Sequence, residues 1–589
     1  MRVDPLCPSR WLFLPLATFL LCAGYDFVFG AAAMAGERGQ GGTLRLYYWQ
    51  APTIVNPHLS PGTKDLSASR IVYEPLASFD ARGELVPFLA AEIPSLENGG
   101  VSLDGKSVTW RLKQDVTWAD GEPFTAWDVL FTYQYITNPE VGSTSGSSYD
   151  QVKSVEVIDD HTVQVTFHDV NPAWALPFVG VKGMIIPEHI FGAFNGPNAA
   201  EAPANLRAVG TGPYRVLEFN EEDILVIGED IVSTVRIVYE PNPYFREPDK
   251  PYFGELVLRG GGGDAITAAK TTEEGVADFA WNLQADDRII AQMEASGHGT
   301  ALVELDGAWV ERIMLNFADP SHETEIGERA SPDHPHPILS DPRVRRAIAQ
   351  GIDRQAIMAL YGRGGQPTNT LLVSPTKYRS SNIAIKFDPE ASRALLEEAG
   401  WHDSDGDDIR NKDGRSLNLL FQTSINPVRQ ETQEIVKENL LALGIGVELK
   451  SIDSSIFFGP VSESTNTRRH FYADLEEFAY SNKSPDPGPY MKAWTCAEAA
   501  RQANNWGTAN WARYCNPAYD ELYRQSTREM DPEKRRTLFI RMNDMLIEDA
   551  AVIPLVHLVD FNGINATLVG LDLTPWDVEI WNIKDWRRK

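Results

Sequence analysis

Residues 106–129 read KSVTWRLKQDVTWADGEPFTAWDV and form the centre of a longer stretch from Tyr73 to Pro139. Apolar side chains alternate with polar ones in the first part, as in a half-buried strand: Val108, Trp110 and Leu112. Asp120-Gly121 then signals a turn. Thr125 stands three residues before Asp128, so its hydroxyl can cap a helix while the carboxylate favours the helix N-terminus. The stretch therefore predicts a strand, a turn and a capped helix.

Length and charge narrow the possible classes of protein. A chain of 589 residues is too long for one hydrophobic core, and about two to four domains are expected. Apolar residues make up 43% of the chain, which indicates a globular protein. Lys and Arg number 53 against 82 Asp and Glu, giving a formal net charge of −29. This charge disfavours binding to nucleic acid or to an anionic membrane surface.

Residues 1–35 are typical of a secretory signal peptide. Basic residues precede an apolar run from Trp11 to Ala23, and small residues then permit cleavage after Ala33 or Ala35. Cys22 raises the alternative of a lipid anchor, but the residues directly before it lack the small side chain that such a site needs. We therefore expect a periplasmic protein whose signal peptide is cleaved.

The expected export determines which oxidation state we expect for the cysteines. Two of the four lie in the signal segment, which leaves Cys496 and Cys515. A lone pair in an oxidising compartment favours a disulfide, and two free thiols are the alternative. The bridge would close a short loop that contains Trp506 and Trp511.

Strands and helices alternate along the chain, which indicates an α/β architecture. The segments Thr43–Tyr48, His161–Phe167 and Gly446–Leu449 have strand patterns. Asp-Pro pairs predict the starts of three helices: Asp341-Pro342, Asp388-Pro389 and Asp531-Pro532.

Motifs for catalysis or cofactor binding are incomplete. Gly260–Asp264 resembles a phosphate-binding loop but lacks the lysine that must follow, so we expect a strand-to-helix turn. Gly142–Gly146 has threonine where a nucleophile elbow needs serine. Histidine and cysteine metal motifs are absent from the sequence. We therefore expect no catalytic residue, metal or cofactor, and an exported hydrolase is only a remote alternative.

Asp403, Asp405 and Asp407 occupy the first, third and fifth positions of a calcium-binding loop. Gly414 stands where such a loop needs a bidentate glutamate. A solvated acidic turn is the favoured interpretation, and structural calcium is the alternative.

Several segments occur in an order that resembles the family 5 solute-binding proteins of bacterial ABC importers, a group of oligopeptide, dipeptide and nickel binders. These segments are Tyr73–Leu76, Val86–Ala90, Trp118–Val129, Gly210–Tyr214, Asn242–Tyr244, Val344–Arg354 and Phe387–Trp401. They cover nearly the whole chain after the signal segment.

The resemblance implies an α/β fold of the type II periplasmic-binding-protein kind, with two lobes and three domains around a ligand cleft. It implies the following division after the signal peptide at 1–35: domain I at 36–72, 205–310 and 560–589, an inserted domain II at 73–204, and domain III, the second lobe, at 311–559.

The resemblance also implies ligand contacts in two loops and at one strand end that faces the cleft, and the tryptophan content adds one further candidate. The candidate ligand-binding residues are Gly62, Thr63, Trp281, Asn282, Tyr480, Lys483, Asp486 and Trp506. Rigid aromatic walls supply contact area to a ligand at low entropic cost.

One of these loops departs from the peptide-binding pattern. Peptide-binding members carry Trp-x-x-Asp there, and the aspartate binds the α-ammonium of the peptide. Here Tyr480 and Lys483 stand at those two positions. A lysine would repel an ammonium group in a desolvated cleft. Either Asp486 or another carboxylate replaces the aspartate, or the ligand lacks a free amino terminus.

The resemblance implies a monomeric binding protein that closes over one solute and delivers it to an inner-membrane ABC permease. A short peptide or peptide-like compound is the expected ligand, because this class is frequent in the family. An oligosaccharide, an opine or another non-peptide solute is the alternative, and Lys483 favours it.

Overall fold

A computed structural model describes residues 38–60, 62–262, 265–283, 287–296, 300–305, 307–458, 464–482 and 484–589. The expected signal peptide, Asp264 and Lys483 lie outside the described residues. None of the described helices is long and apolar enough to cross a bilayer.

Strands and helices alternate as the sequence predicts. The strands are β1 (Thr43–Tyr48), β2 (Ala77–Phe79), β3 (Leu85–Pro87), β4 (Ser107–Arg111), β5 (Val152–Asp159), β6 (Thr162–Phe167), β7 (Tyr214–Ile227), β8 (Asp230–Pro241), β9 (Glu255–Gly261), β10 (Phe279–Ala280), β11 (Thr300–Leu305), β12 (Trp309–Leu315), β13 (Gly365–Pro367), β14 (Asn411–Lys412), β15 (Arg415–Ser416), β16 (Asn418–Ser424), β17 (Gly446–Ile452), β18 (Leu475–Ser481), β19 (Val552–Leu558), β20 (Asp560–Asn565), β21 (Leu568–Val569) and β22 (Arg587–Arg588).

The helices are α1 (Thr63–Arg70), α2 (Ala126–Thr137), α3 (Glu188–Phe191), α4 (Ala265–Glu273), α5 (Asp287–Glu294), α6 (Pro342–Gly351), α7 (Arg354–Leu360), α8 (Pro389–Glu398), α9 (Pro427–Leu441), α10 (Ser454–Phe457), α11 (Gly488–Lys492), α12 (Pro517–Ser526) and α13 (Pro532–Glu548).

The stretch around residues 106–129 folds as its sequence predicts. Val108 and Trp110 are buried in β4, which joins β5 and β6 in a three-stranded sheet. The hydroxyl of Thr125 accepts a hydrogen bond from the backbone N–H of Trp127 at 3.3 Å. The carboxylate of Asp128 in turn accepts one from the backbone N–H of Thr125 at 2.9 Å. This reciprocal capping confirms the predicted start of α2.

The three Asp-Pro helix starts are also confirmed. Asp341, Asp388 and Asp531 precede α6, α8 and α13, and each carboxylate accepts at least one backbone N–H of the first helical turn. Proline follows at the first helical position, where a backbone N–H would have no acceptor within the helix. The local sequence therefore specifies these starts.

Two large mixed sheets organise the rest of the chain. The seven-stranded sheet has the order β11-β20-β10-β1-β9-β8-β7, and β1 runs parallel to both β9 and β10. The six-stranded sheet has the order β13-β19-β12-β18-β16-β17, and β12 runs antiparallel to β18 and β19.

The chain passes directly between these sheets at two places. Residues 306–308 connect β11 to β12, and Val559 alone connects β19 to β20. His557 lies near the end of β19, just before the second crossing, and its Nε2 is 2.8 Å from the carbonyl oxygen of Gly307 in the first crossing. The two crossings are therefore adjacent.

The domain boundaries remain a prediction, but the sheets divide the chain in a similar way. Strands of the seven-stranded sheet come from the three segments assigned to domain I, and the three-stranded sheet comes from 73–204. The six-stranded sheet is built from residues 309–558, which nearly coincide with the segment assigned to domain III.

Candidate functional site

Aromatic residues cover one end of the seven-stranded sheet, where the parallel strands β1 and β10 finish side by side. Trp281 follows β10, and its ring stacks on Tyr48 with centroids 5.3 Å apart and on Trp49 at 5.7 Å. Its indole N–H donates to Glu579 at 2.8 Å, which fixes the ring. We call Tyr48, Trp49 and Trp281 the tryptophan stack. Ligands of open α/β sheets bind beyond the carboxyl ends of parallel strands, the position that this stack occupies.

Asn282 continues from the stack in a left-handed conformation, with φ of 53°. Asparagine tolerates this region better than most residues. The backbone N–H of Asn282 donates to the side-chain oxygen of Asn562 at 2.9 Å, which holds the turn against β20.

Gly62 and Thr63 lie at the start of α1. The carbonyl oxygen of Gly62 accepts the backbone N–H of Leu66 at 3.1 Å, as the N-cap of a helix does. Thr63 is exposed. The loop before α1 is tied down by the buried carboxylate of Asp65, which accepts from the backbone N–H of Thr53 at 2.7 Å.

A second aromatic group lies on the six-stranded sheet. Tyr480 in β18 stacks on Tyr490 at 5.8 Å and meets the edge of Trp511 at 5.6 Å. The guanidinium of Arg312 lies 5.0 Å from the Tyr480 ring, and that of Arg468 lies 4.6 Å from the Trp511 ring. We call these five residues the arginine–aromatic cluster. Cations over aromatic faces are stabilised electrostatically, so the rings provide favourable contacts for both guanidinium groups.

Buried ionisable side chains lie beside the arginine–aromatic cluster. Glu476 lies four residues before Tyr480 and is fully buried, and its carboxylate accepts from Gln422 at 2.6 Å. Burial raises the pKa of Glu476 to about 8, although the hydrogen bond from Gln422 and the nearby arginines oppose the shift. Burial also lowers the pKa of Arg468. At neutral pH Glu476 is therefore mostly protonated and does not neutralise the arginines.

The carboxylate of Asp486 has an internal partner. Both of its oxygens accept from the guanidinium of Arg535, one of them at 3.0 Å, and Oδ1 also accepts the backbone N–H of Gly488 at 2.7 Å. The side chain is 16% exposed. A ligand ammonium would have to share this carboxylate with Arg535. Lys483, the other charged candidate of this loop, lies outside the described residues.

The predicted disulfide is present between Cys496 and Cys515. Its loop carries Trp506, which is half-buried and lies over the His470 ring with centroids 4.3 Å apart. Trp511 of the same loop belongs to the arginine–aromatic cluster. The bridge therefore holds one wall of that cluster in place.

The acidic loop is exposed. Carboxylate oxygens of Asp403, Asp405 and Asp407 lie within 4.8 Å of one another. Asp403 accepts the backbone N–H of Gly406 at 2.7 Å, and Asp407 accepts that of Ile409 at 2.9 Å. These bonds are those of an exposed acidic turn, and the preference for a solvated turn over a calcium site remains a prediction.

Comparison with known proteins assigns the chain to a family. The profile of the bacterial extracellular solute-binding proteins, family 5 middle, matches residues 84–501. The chain belongs to this family. Family 5 proteins are non-catalytic solute-binding components of ABC transporters, so the expectation that the chain is not an enzyme is confirmed.

Relatives and solved structures extend the family match to nearly the full length. Protein XP55 of Streptomyces lividans is 26% identical over 557 residues, covering 91% of this chain and 89% of the relative. Di/tripeptide-binding protein 2 of Pseudomonas aeruginosa is 25% identical over 578 residues, covering 92% and 95%. The oligopeptide-binding protein AppA of Bacillus subtilis, solved with a nonapeptide, is 20% identical, with a TM-score of 0.67 over 94% of this chain and 100% of AppA. These matches confirm the two-lobed α/β fold.

Sequence reasoning missed part of the arginine–aromatic cluster. It named Tyr480 but not Arg312, Arg468 or Tyr490, because Arg312 comes from β12 and only tertiary packing brings the rings and guanidinium groups of the other two beside Tyr480. One local signal was present: Glu476 and Glu477 interrupt an apolar strand, and buried charges in an interior strand often mark a functional site.

Proposed function

We propose that this family 5 protein captures a short peptide or peptide-like solute in the periplasm and delivers it to an inner-membrane ABC permease. Family membership supports the proposal, and related proteins include an oligopeptide-binding protein and a di/tripeptide-binding protein. The proposal includes export by a cleaved signal peptide at residues 1–35 and function as a monomer. N-terminal sequencing of protein recovered from the periplasm tests the cleavage.

In this proposal the ligand lies between the two large sheets. The tryptophan stack would form one wall and the arginine–aromatic cluster the other. Gly62, Thr63 and Asn282 would add backbone and polar contacts. Contacts made only when both walls meet the ligand would bias the protein towards its closed state, and the two adjacent chain crossings supply a hinge.

A non-peptide solute is the second candidate, and Asp486 favours it. Because Arg535 already occupies this carboxylate, the usual means of binding a peptide ammonium is weakened. Lys483 adds a charge of the wrong sign at the aspartate position of peptide binders. An oligosaccharide or an opine needs no carboxylate at this place.

Mass spectrometry of ligand carried through purification, followed by thermal shifts with peptides and sugars, tests the proposal. We expect peptides to raise the melting temperature. If neither peptides nor sugars do so, both candidate ligand classes are wrong.

Lys483→Asp separates the two candidates. We expect it to increase affinity for peptides with a free amino terminus by about tenfold or more, because it exchanges repulsion for attraction in a desolvated site. N-acetylated peptides are the matched ligand control and should gain nothing. If the affinity for peptides with a free amino terminus is unchanged, residue 483 does not have the proposed role in repelling the peptide ammonium group.

A further inference from the structure

Unpartnered polar atoms concentrate at the end of β18 where the ligand loop begins. Asn482 is 2% exposed, yet within the described part of the chain neither its side-chain oxygen nor its nitrogen has a hydrogen-bond partner. The same holds for the indole N–H groups of Trp506 and Trp511 and for Nε of Arg312. Buried polar groups are nearly always satisfied in native proteins, so this concentration indicates that a polar molecule completes the site.

Arg468 differs from the other largely buried arginines of the chain. Its guanidinium lies over four aromatic rings, at 4.6 Å from Trp511 and 5.1–5.9 Å from the other three, which belong to Phe458, Phe478 and Tyr480. Among the described residues it forms neither an ion pair nor a side-chain hydrogen bond. Three other largely buried arginines are each paired with a carboxylate: Arg246 with Glu74, Arg429 with Glu311, and Arg535 with Asp486. Arg345 and Arg354 instead donate to backbone carbonyls.

The surroundings of Arg468 carry excess positive charge. Arg312 donates to the Tyr490 hydroxyl at 2.9 Å, and Arg513 donates to the backbone carbonyl of His470 at 2.7 Å, so neither meets a carboxylate. Glu476 interacts electrostatically with all three arginines, but burial raises its pKa to about 8, so it is mostly neutral at pH 7. The chain as a whole has a net charge of −29. Its composition alone would therefore not predict a positively charged site.

We propose that Arg468 is the anion anchor of the binding site and that the transported solute carries a carboxylate. A guanidinium donates two parallel hydrogen bonds to a carboxylate, and the desolvated aromatic surroundings strengthen them. Trp511 and Tyr480 contact the apolar part of the solute next to its carboxylate, and the Asn482 amide binds a polar group beside it. The inference rests on the proposed function, because it assigns the ligand class of the same cleft.

Paired probes test the inference. Trialanine and trialanine amide differ only in the carboxylate, and galacturonate and galactose differ in the same way. We expect calorimetry to show that the acid of at least one pair binds about 10- to 100-fold more tightly than its neutral partner, the range expected for a charge-assisted bidentate hydrogen bond.

Arg468→Gln should abolish this preference, and Arg468→Lys should retain part of it, because lysine keeps the charge but not the bidentate geometry. Arg469→Gln is the matched control: it removes the same charge one residue away, from a guanidinium for which the described residues show no cation–π contact, and should change affinity less than about threefold. Arg468→Lys also keeps the test valid if the glutamine variant fails to fold.

The outcomes separate this inference from the proposed function. If peptides bind but the amide binds as well as the acid, the inference is wrong and the proposed function stands. If galacturonate binds in an Arg468-dependent manner and peptides do not bind, the inference stands and the peptide proposal is wrong. If no carboxylate probe binds at millimolar concentration, the inference is overturned.

Discussion

Glu476 and Glu477 are adjacent acids in the interior of the six-stranded sheet. Because successive side chains of a strand alternate, their carboxyl groups lie on opposite faces of β18. Glu476 contacts Gln422, whereas Glu477 lies near the ion pair of Glu311 with Arg429. Burial, followed by the charge of Glu311, raises the pKa of Glu477 as well. Two buried acids with raised pKa values make stability depend on pH.

The sign of this dependence can be stated for Glu476. Its pKa in the folded state is raised to about 8, above the unfolded value of about 4.3. The stability that it contributes is therefore full below the unfolded pKa and is lost as the pH rises through about 8. We expect Glu476→Gln to raise the free energy of unfolding at pH 8, by an amount on the order of a few kcal/mol, and to change it little at pH 5. Urea unfolding at both pH values measures this difference.

Glu431→Gln is the control for that measurement. Glu431 is exposed on α9, so Glu431→Gln should change the free energy of unfolding little at either pH. Equal effects of Glu476→Gln at pH 5 and pH 8 would mean that the carboxyl group does not titrate in this range.

At the scale of single elements, the disulfide loop is the one that supports the candidate site most directly. Asn505 and Trp506 both have positive φ, 52° and 46°, so the loop makes a tight left-handed turn before Trp511 enters the arginine–aromatic cluster. Residues other than glycine adopt such a conformation only when the surrounding structure holds it. The bridge between Cys496 and Cys515 supplies part of that constraint.

We expect the double variant Cys496→Ser with Cys515→Ser to lower the free energy of unfolding by about 3 kcal/mol, because the bridge closes a loop of about 20 residues. Ligand affinity should fall as well, since the loop carries Trp511. Reduced wild-type protein is the control and should show the same loss. If ligand affinity is unaltered in both the double variant and the reduced wild type, the disulfide loop does not contribute to ligand binding.

The contrast between helix starts and ligand loops shows what local sequence can specify. Asp341-Pro342 defines α6 within a few residues, so its start could be predicted. The partner of Asp486 could not, because Arg535 lies 49 residues further on and only tertiary packing brings the two together. The order of the strands in both large sheets is likewise set by pairings between distant segments. The resemblance to family 5, rather than periodicity, supplied the two-lobed fold.

At the scale of the whole molecule, the region assigned to domain II touches the second lobe. A Cβ added to Gly83 would lie 2.8 Å from Pro375 Cγ and 3.0 Å from Pro485 Cβ. Lys377 pairs with Glu84 at 3.2 Å beside this contact. Pro485 belongs to the loop that carries the candidate residues Lys483 and Asp486. The contact between domain II and the second lobe is therefore close to the candidate ligand-binding loop.

We expect Gly83→Asn to weaken this contact. Asparagine tolerates the φ of 77° at this position, but its side chain has no room beside the two prolines, and overpacking costs about 1–3 kcal/mol. The variant should show a larger radius of gyration in small-angle X-ray scattering with ligand present, and ligand affinity should weaken correspondingly.

Gly99→Asn is a matched control for the same substitution. Gly99 has a similar φ of 70°, and nothing lies within 4 Å of an added Cβ. The control should behave as the wild type. Equal scattering profiles for the two variants would show that the Gly83 contact does not limit lobe closure.

The two adjacent chain crossings have a practical consequence. Among the described residues, the chain passes between the two large sheets only beside Gly307 and at Val559. Fluorescent dyes attached on opposite sides of these crossings would therefore report closure whatever molecule causes it. The protein could thus be turned into a biosensor before its cargo is identified, and growth-medium fractions could be screened by energy transfer between the dyes.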